Sequence, residues 1–326
     1  MNDLSGGLET DFSADTKKFF EIFCPGFLED YEQKNKSESN FVYYTSAETA
    51  INILRNRELW FRNAKVMNDF SEISYGIDLI RKVFKGPEGE NFRTAVNAIF
   101  PYTIHKTDEL VSAWLNDWQY ETYIACVSSY DPKEDKRGRL SMWRAYGDVA
   151  LVVKNTPMRA STDKLGVYSL PVRYSDEAEL TRHLSEITNA VKANGECLKG
   201  LGREWLIGSI HSMCLRLAIA TKHPGFKEED EWRLYHRPNA QESPCMKKDV
   251  AVIRGVPQPI YKLRLAHEPE NGLFGADIPS LLDRIIIGPT QYPYVAYRAF
   301  VEVLRERGVE VDEDKVVVSD IPLRVW

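Results

Sequence analysis

The chain has 326 residues, 43% of them hydrophobic and 28% charged, with a net charge of −6. That describes an ordinary globular protein with room for a large core, and it argues against a generally basic nucleic-acid surface. No apolar run approaches the roughly 20 residues needed to span a bilayer, and the N-terminus has no cationic stretch followed by an apolar one. Five widely spaced cysteines (Cys24, Cys126, Cys197, Cys214, Cys245) with no C-x-x-C pair read as reduced thiols of a cytoplasmic protein. His211 and Cys214 would share one helical face, but the surrounding apolar helical spacing favours packing, so no metal is expected.

Residues 1–40 form a polar lead-in, expected to be partly disordered, with a short helix at Thr16–Phe23. The folded body, 41–326, reads as a single domain. Phe41–Tyr44 is a β-type run, and Thr45-x-x-Glu48 has the form of a capping box opening a helix with Ala47, Ala50, Ile51 and Leu54 on one face. Glu58–Phe61 predicts the next strand. The polar turn Met67–Glu72 leads into a helix whose apolar stripe is Ile73, Ile77, Ile80 and Phe84. One further helical stretch is expected over Asn91–Trp118, then an interior strand at Tyr123–Val127. The charge-rich segment Ser128–Arg139 is expected to be a mobile loop. Strands follow at Val149–Val153 and Val167–Tyr174, and helices at Glu177–Asn194 and Gly202–Lys222, a helical insertion around 176–222. The remainder alternates: strands at Glu231–Tyr235, Val250–Ile253, Ile260–Leu265 and Arg284–Ile287, a helix at Tyr294–Arg307, and a strand at Lys315–Val318. Strands in succession with clustered helices predict an α+β fold.

No G-x-G-x-x-G, G-x-x-x-x-G-K-[ST], H-E-x-x-H or G-x-S-x-G occurs, so chemistry must come from dispersed residues. Four segments are candidates. Tyr43, Tyr44, Thr45 and Ser46 stand where a strand meets a helix N-terminus, a geometry suited to a ribose or phosphate, or simply a cap with two packed tyrosines. Asn68, Asp69 and Glu72 are either a helix cap or site residues. Ser141, Trp143, Arg144 and Tyr146 supply a hydroxyl, an aromatic plate, a cation and a phenol within two helical turns, a mixture a core helix rarely needs. In Glu228-Glu-Asp-Glu-Trp-Arg-Leu-Tyr235, strand alternation places Glu229, Glu231, Arg233 and Tyr235 on one face and Trp232 and Leu234 on the other. Glu231 is then a structural ion-pair partner, or a carboxylate that accepts from a sugar hydroxyl or acts as a general base.

Together the segments Tyr43–Ser46, Leu59–Phe61, Asn68–Glu72, Ser141–Gly147 and Phe226–Arg233 resemble a widespread bacterial family of uncharacterised proteins. More distantly the chain is similar to ADP-ribosyltransferases, including toxins that modify nucleic acid. That resemblance implies a split, mixed or antiparallel sheet and cleavage of the nicotinamide–ribose bond of NAD, used as substrate. It implies Glu231 (or Glu229), Tyr44 and Tyr146 as catalytic residues. NAD would be bound by Tyr43, Thr45, Asn68, Ser141, Trp143, Arg144 and Arg233, with Arg144 or Arg233 on the pyrophosphate. Tyr43 stands where such enzymes usually have histidine. The implied setting is a bacterial toxin or phage-defence effector with a nucleic-acid or protein acceptor and a neutralising antitoxin. The alternatives are a non-catalytic nucleotide-binding module using Trp143 and Arg144, and a metal-dependent nuclease using Asp69, Glu229 and Glu231.

Overall fold

The computed structural model describes residues 13–29, 40–67, 72–159 and 165–323. It is an α+β chain built on one large, mixed sheet. The strands are β1 (Phe41–Thr45), β2 (Glu58–Asn63), β3 (Tyr123–Ser129), β4 (Val149–Val153), β5 (Val167–Pro171), β6 (Arg173–Tyr174), β7 (Thr221–Lys222), β8 (Glu231–His236), β9 (Met246–Ile253), β10 (Val256–Arg264), β11 (Leu282–Ile287) and β12 (Val316–Val318). Their order in the main sheet is β12-β11-β4-β1-β3-β2-β10-β9, with β8 on the far edge of β3 and β5 beyond it. Every pair in it is antiparallel except β11–β12. The short β6 and β7 pair in parallel as a separate ribbon.

One edge of β3 is shared. β1 pairs with its end, Phe41 opposite Ser129 and Val42 opposite Ser128, whereas β2 pairs with its start, Arg62 opposite Ile124. Among the described residues Ala125, Cys126 and Val127 have no strand partner on that edge, so the sheet parts between β1 and β2. The helix α1 (Ala14–Phe23) precedes the sheet, and α2 (Ala47–Asn56) bridges the parting strands. The cap of α2 is Ser46, whose side chain accepts from Thr49 N–H, one residue later than the Thr45 box expected.

The other face carries a helical layer: α3 (Glu72–Lys85), α4 (Pro87–Ile99), α5 (Thr103–Tyr120), α6 (Leu140–Tyr146), α7 (Glu177–Ala193), α8 (Gly195–Leu201) and α9 (Arg203–Ala220), with α10 (Pro293–Glu306) back on the α2 side. The single helix expected over Asn91–Trp118 is two, because Pro101 removes an amide donor and clashes with the preceding turn. α7 starts with a complete capping box, Asp176 and Glu179 each accepting from the other's backbone N–H. The charged segment 128–139 is tied down: Asp135 pairs with Arg284 at 2.6 Å, and Glu134 with Arg139 at 3.1 Å. No helix among the described residues is long and apolar enough to cross a membrane.

Candidate functional site

The alternation expected of β8 is present: Glu231, Arg233 and Tyr235 face the helices, and Trp232 and Leu234 face away. All six β8 residues are nonetheless buried, so the Glu231 face is an interior one. Charge at such depth persists only with partners. Arg233, 0% exposed, donates from Nε to Glu231 at 3.1 Å, and another of its N–H groups donates to the Ile219 carbonyl. Lys222, 1% exposed, donates to Glu231 at 2.6 Å and to Glu229 at 2.7 Å. Its ammonium also stands 4.9 Å from the centre of the Phe226 ring, a cation–π contact. Tyr146 closes the cluster from α6, donating to the second oxygen of Glu229 at 2.8 Å.

Two local backbone events bring these groups together. The helical pattern that predicts Gly202–Lys222 stops at Ala220, and Thr221 and Lys222 join Arg173 and Tyr174 as β7. Pro224 follows, which disfavours helix at His223. Lys222 is therefore a strand residue aimed at the sheet. After a 3₁₀ segment, Pro224–Glu229, Asp230 adopts a left-handed conformation (φ 43°, ψ 56°), one that aspartate tolerates better than most residues. Glu229 and Glu231 thus meet the same ammonium from opposite sides of that turn. The backbone around Glu231 is fixed too: its N–H donates to the Tyr174 hydroxyl at 2.8 Å, and its carbonyl accepts from Val172 N–H at 2.9 Å.

The electrostatics separate the two carboxylates. Burial pushes Glu231 upward, but Arg233 and Lys222, with a hydrogen bond from Cys126, outweigh it and hold the group at about 2. Glu229 is raised by burial, which its contacts with Lys222 and Tyr146 only partly offset, and by the charge of Glu231. Burial also raises the Tyr146 and Tyr174 hydroxyls. The result is a firmly ionised carboxylate beside one closer to taking up a proton, a separation that acid–base sites require.

Residues 142–234 match the model of a family described as a protein of unknown function (DUF2971). No curated protein and no solved structure matches the chain. The matched span opens within α6 and closes on β8, so it takes in Tyr146, Tyr174, Lys222, Glu229, Glu231 and Arg233.

The expected site residues divide sharply. Glu231, Arg233 and Tyr146 converge, with Glu229. Tyr44 lies beside them through α6: its ring packs edge-on against Trp143 at 4.9 Å, and its hydroxyl accepts from Arg139 N–H at 2.9 Å. Trp143 is not the open plate expected. It is buried, its Nε1 donates to the Arg137 carbonyl at 2.9 Å, and it packs so closely against Gly138 and Gly288 that neither could carry a side chain. Arg144 is exposed, whereas Arg233 is buried and donates to Glu231 and to the Ile219 carbonyl. Tyr43 faces the opposite side of the sheet, and burial raises its hydroxyl to about 12. Thr45 is buried at the end of β1, where Gly147 (φ 140°) approaches so closely that an added Cβ would stand 2.5 Å from the Thr45 carbonyl. The hydroxyls of Ser141 and of Thr221, next to Lys222, are buried with no partner among the described residues. Asn68 and Asp69 lie outside the described residues. Lys222, Tyr174 and Cys126 are the members that sequence reasoning missed. Of the residues of the nuclease alternative, Glu229 and Glu231 share one cation, the Lys222 ammonium, and Asp69 is not among the described residues.

Proposed function

We propose that the chain is an NAD-dependent ADP-ribosyltransferase with Glu231 as its catalytic carboxylate. The observation that carries this reading is the position of Glu231: a buried, ionised carboxylate on β8, opposite Ser128 of β3 and across that strand from the edge on which β1 and β2 part. A fixed negative charge at that point suits a ribosyl centre that becomes positive as its bond to nicotinamide breaks. The bond electrons leave with neutral nicotinamide. The acceptor's lone pair then forms the new bond to the ribose carbon, and the acceptor loses a proton. Arg233 and Lys222 hold Glu231 ionised and oriented, and Tyr146 and Glu229 stand over it as the groups that must move for NAD to enter. The acceptor is a nucleic acid or a protein, in keeping with a toxin or defence effector held in check by an antitoxin.

The test uses NAD labelled in its adenylate phosphate, incubated with the full chain and bacterial lysate. Label should move to macromolecules with release of nicotinamide, and Glu231→Gln, with its melting curve confirming the fold, should lower both at least a hundredfold. Absence of nicotinamide release from the wild-type protein, or equal rates in the variant, rejects the proposal.

A further inference from the structure

On the opposite side of the sheet lies a cavity of about 90 Å³, several times the room one water requires. Tyr43, Leu151, Leu234, Leu263, Ile278 and Leu282 are among its walls, and nearly all of the lining is carbon. Interiors of this kind normally pack at crystal density, so a void of this size is uncommon. Water gains nothing there, because it would find almost none of the two to four polar partners that hold a buried water. The favoured occupant is therefore an apolar group.

Lys154 gives the occupant its second property. Lys154 is among the residues lining the cavity, yet it is exposed as a whole; a lysine so placed lays its stem along an apolar wall and carries its ammonium to solvent. Among the described residues Lys154 forms no ion pair with a carboxylate. Its backbone N–H donates at 2.9 Å to the carbonyl of Leu281, another wall residue, which anchors the root of the side chain at the cavity. An apolar chamber beside a lysine that meets no carboxylate among the described residues matches a small amphiphile with an anionic head.

We propose that this cavity binds a short-chain alkyl carboxylate, the chain inside and the carboxylate against Lys154. It lies on the Tyr43 face of the sheet, away from the Glu231 cluster, so it stands independently of the transferase reading.

The experiment is a calorimetric titration of the full chain with hexanoate and, separately, with hexanol. Hexanoate should bind saturably, one per chain, and at least tenfold more tightly than hexanol. Lys154→Met should weaken hexanoate at least fivefold and leave hexanol unchanged, and Leu151→Phe, which fills the chamber, should abolish both. If Leu151→Phe loses its cooperative melt, Ala276→Leu fills the chamber from the loop side. Three results would each overturn the assignment: no saturable hexanoate binding by the wild-type protein, an unchanged hexanoate affinity in Lys154→Met, or wild-type binding in a folded filling variant.

Discussion

The two faces of the sheet at β3 and β8 are buried by opposite means. On the helical side, Glu231, Arg233, Lys222, Glu229 and Tyr146 interlock through directional contacts of 2.6–3.1 Å. On the other side, aromatic rings from β1 and aliphatic chains from β4, β8 and β10 meet without direction and leave a cavity. The difference is instructive. A buried charge dictates where each neighbour must stand, because an unmet partner costs more than the contact returns. Apolar groups need only exclude water, and they tolerate a void at a modest loss of dispersion energy. Specific chemistry is therefore expected on the first face, and tolerant binding by shape and hydrophobicity on the second.

Paired substitutions sharpen that contrast most. Lys222→Met removes the one cation shared by Glu229 and Glu231 and should cost about 3–5 kcal/mol, the usual result of stranding a buried charge. Leu151→Ala on the opposite face only enlarges an existing void and should cost about 2–5 kcal/mol, at the low end if the neighbouring chains can relax. Urea unfolding at neutral pH measures both. A smaller loss for Lys222→Met than for Leu151→Ala would mean that the ionic cluster contributes little to holding the sheet and helices together.

Part of this arrangement was legible in the sequence. Alternation alone put Glu231, Arg233 and Tyr235 on one face of β8 and Trp232 and Leu234 on the other, because a strand has a fixed two-residue period. Lys222 was not legible in the same way. The apolar spacing of Gly202–Lys222 is helical to its end, and only pairing with Tyr174, 48 positions earlier, converts the last two residues to strand. Pro224 was the one local signal of that change. Trp143 misled for a related reason: an aromatic beside a cation looks like a base-binding plate until Gly288, from a distant segment, joins the nearby Gly138 in covering it. The pairing of Asp135 with Arg284 likewise spans 149 positions, so a segment that reads as a mobile loop is held in place. Local periodicity shows which way a residue faces; what it faces depends on tertiary contacts.

The acid dependence of stability tests the ionic face next. Glu231 sits at about 2 in the folded chain, below its ordinary value of 4.5, so its ionised form stabilises the fold. That contribution is complete above about pH 4.5 and is lost as pH falls toward 2, with a slope of up to about 1.4 kcal/mol per pH unit. Glu229 is raised and works in the opposite direction, taking up a proton more readily folded than unfolded, which softens the loss at the upper end of the window. Urea midpoints measured from pH 5 to pH 3 should fall more steeply in the wild-type chain than in Glu231→Gln. Parallel curves would mean that Glu231 is not the group held ionised.

The smallest expected effect is at Tyr146, where the cluster is closed from α6. Tyr146→Phe keeps the ring and removes one hydrogen bond to Glu229, a change of about 1 kcal/mol, somewhat more because the acceptor is a carboxylate. The diagnostic result is its companion on activity. In the transferase reading Tyr146 and Glu229 stand between solvent and Glu231, so loosening their contact should lower KM for NAD more than it alters kcat. An unchanged KM with a stability loss of the expected size would leave Tyr146 as a structural clasp, with substrate entering by another route.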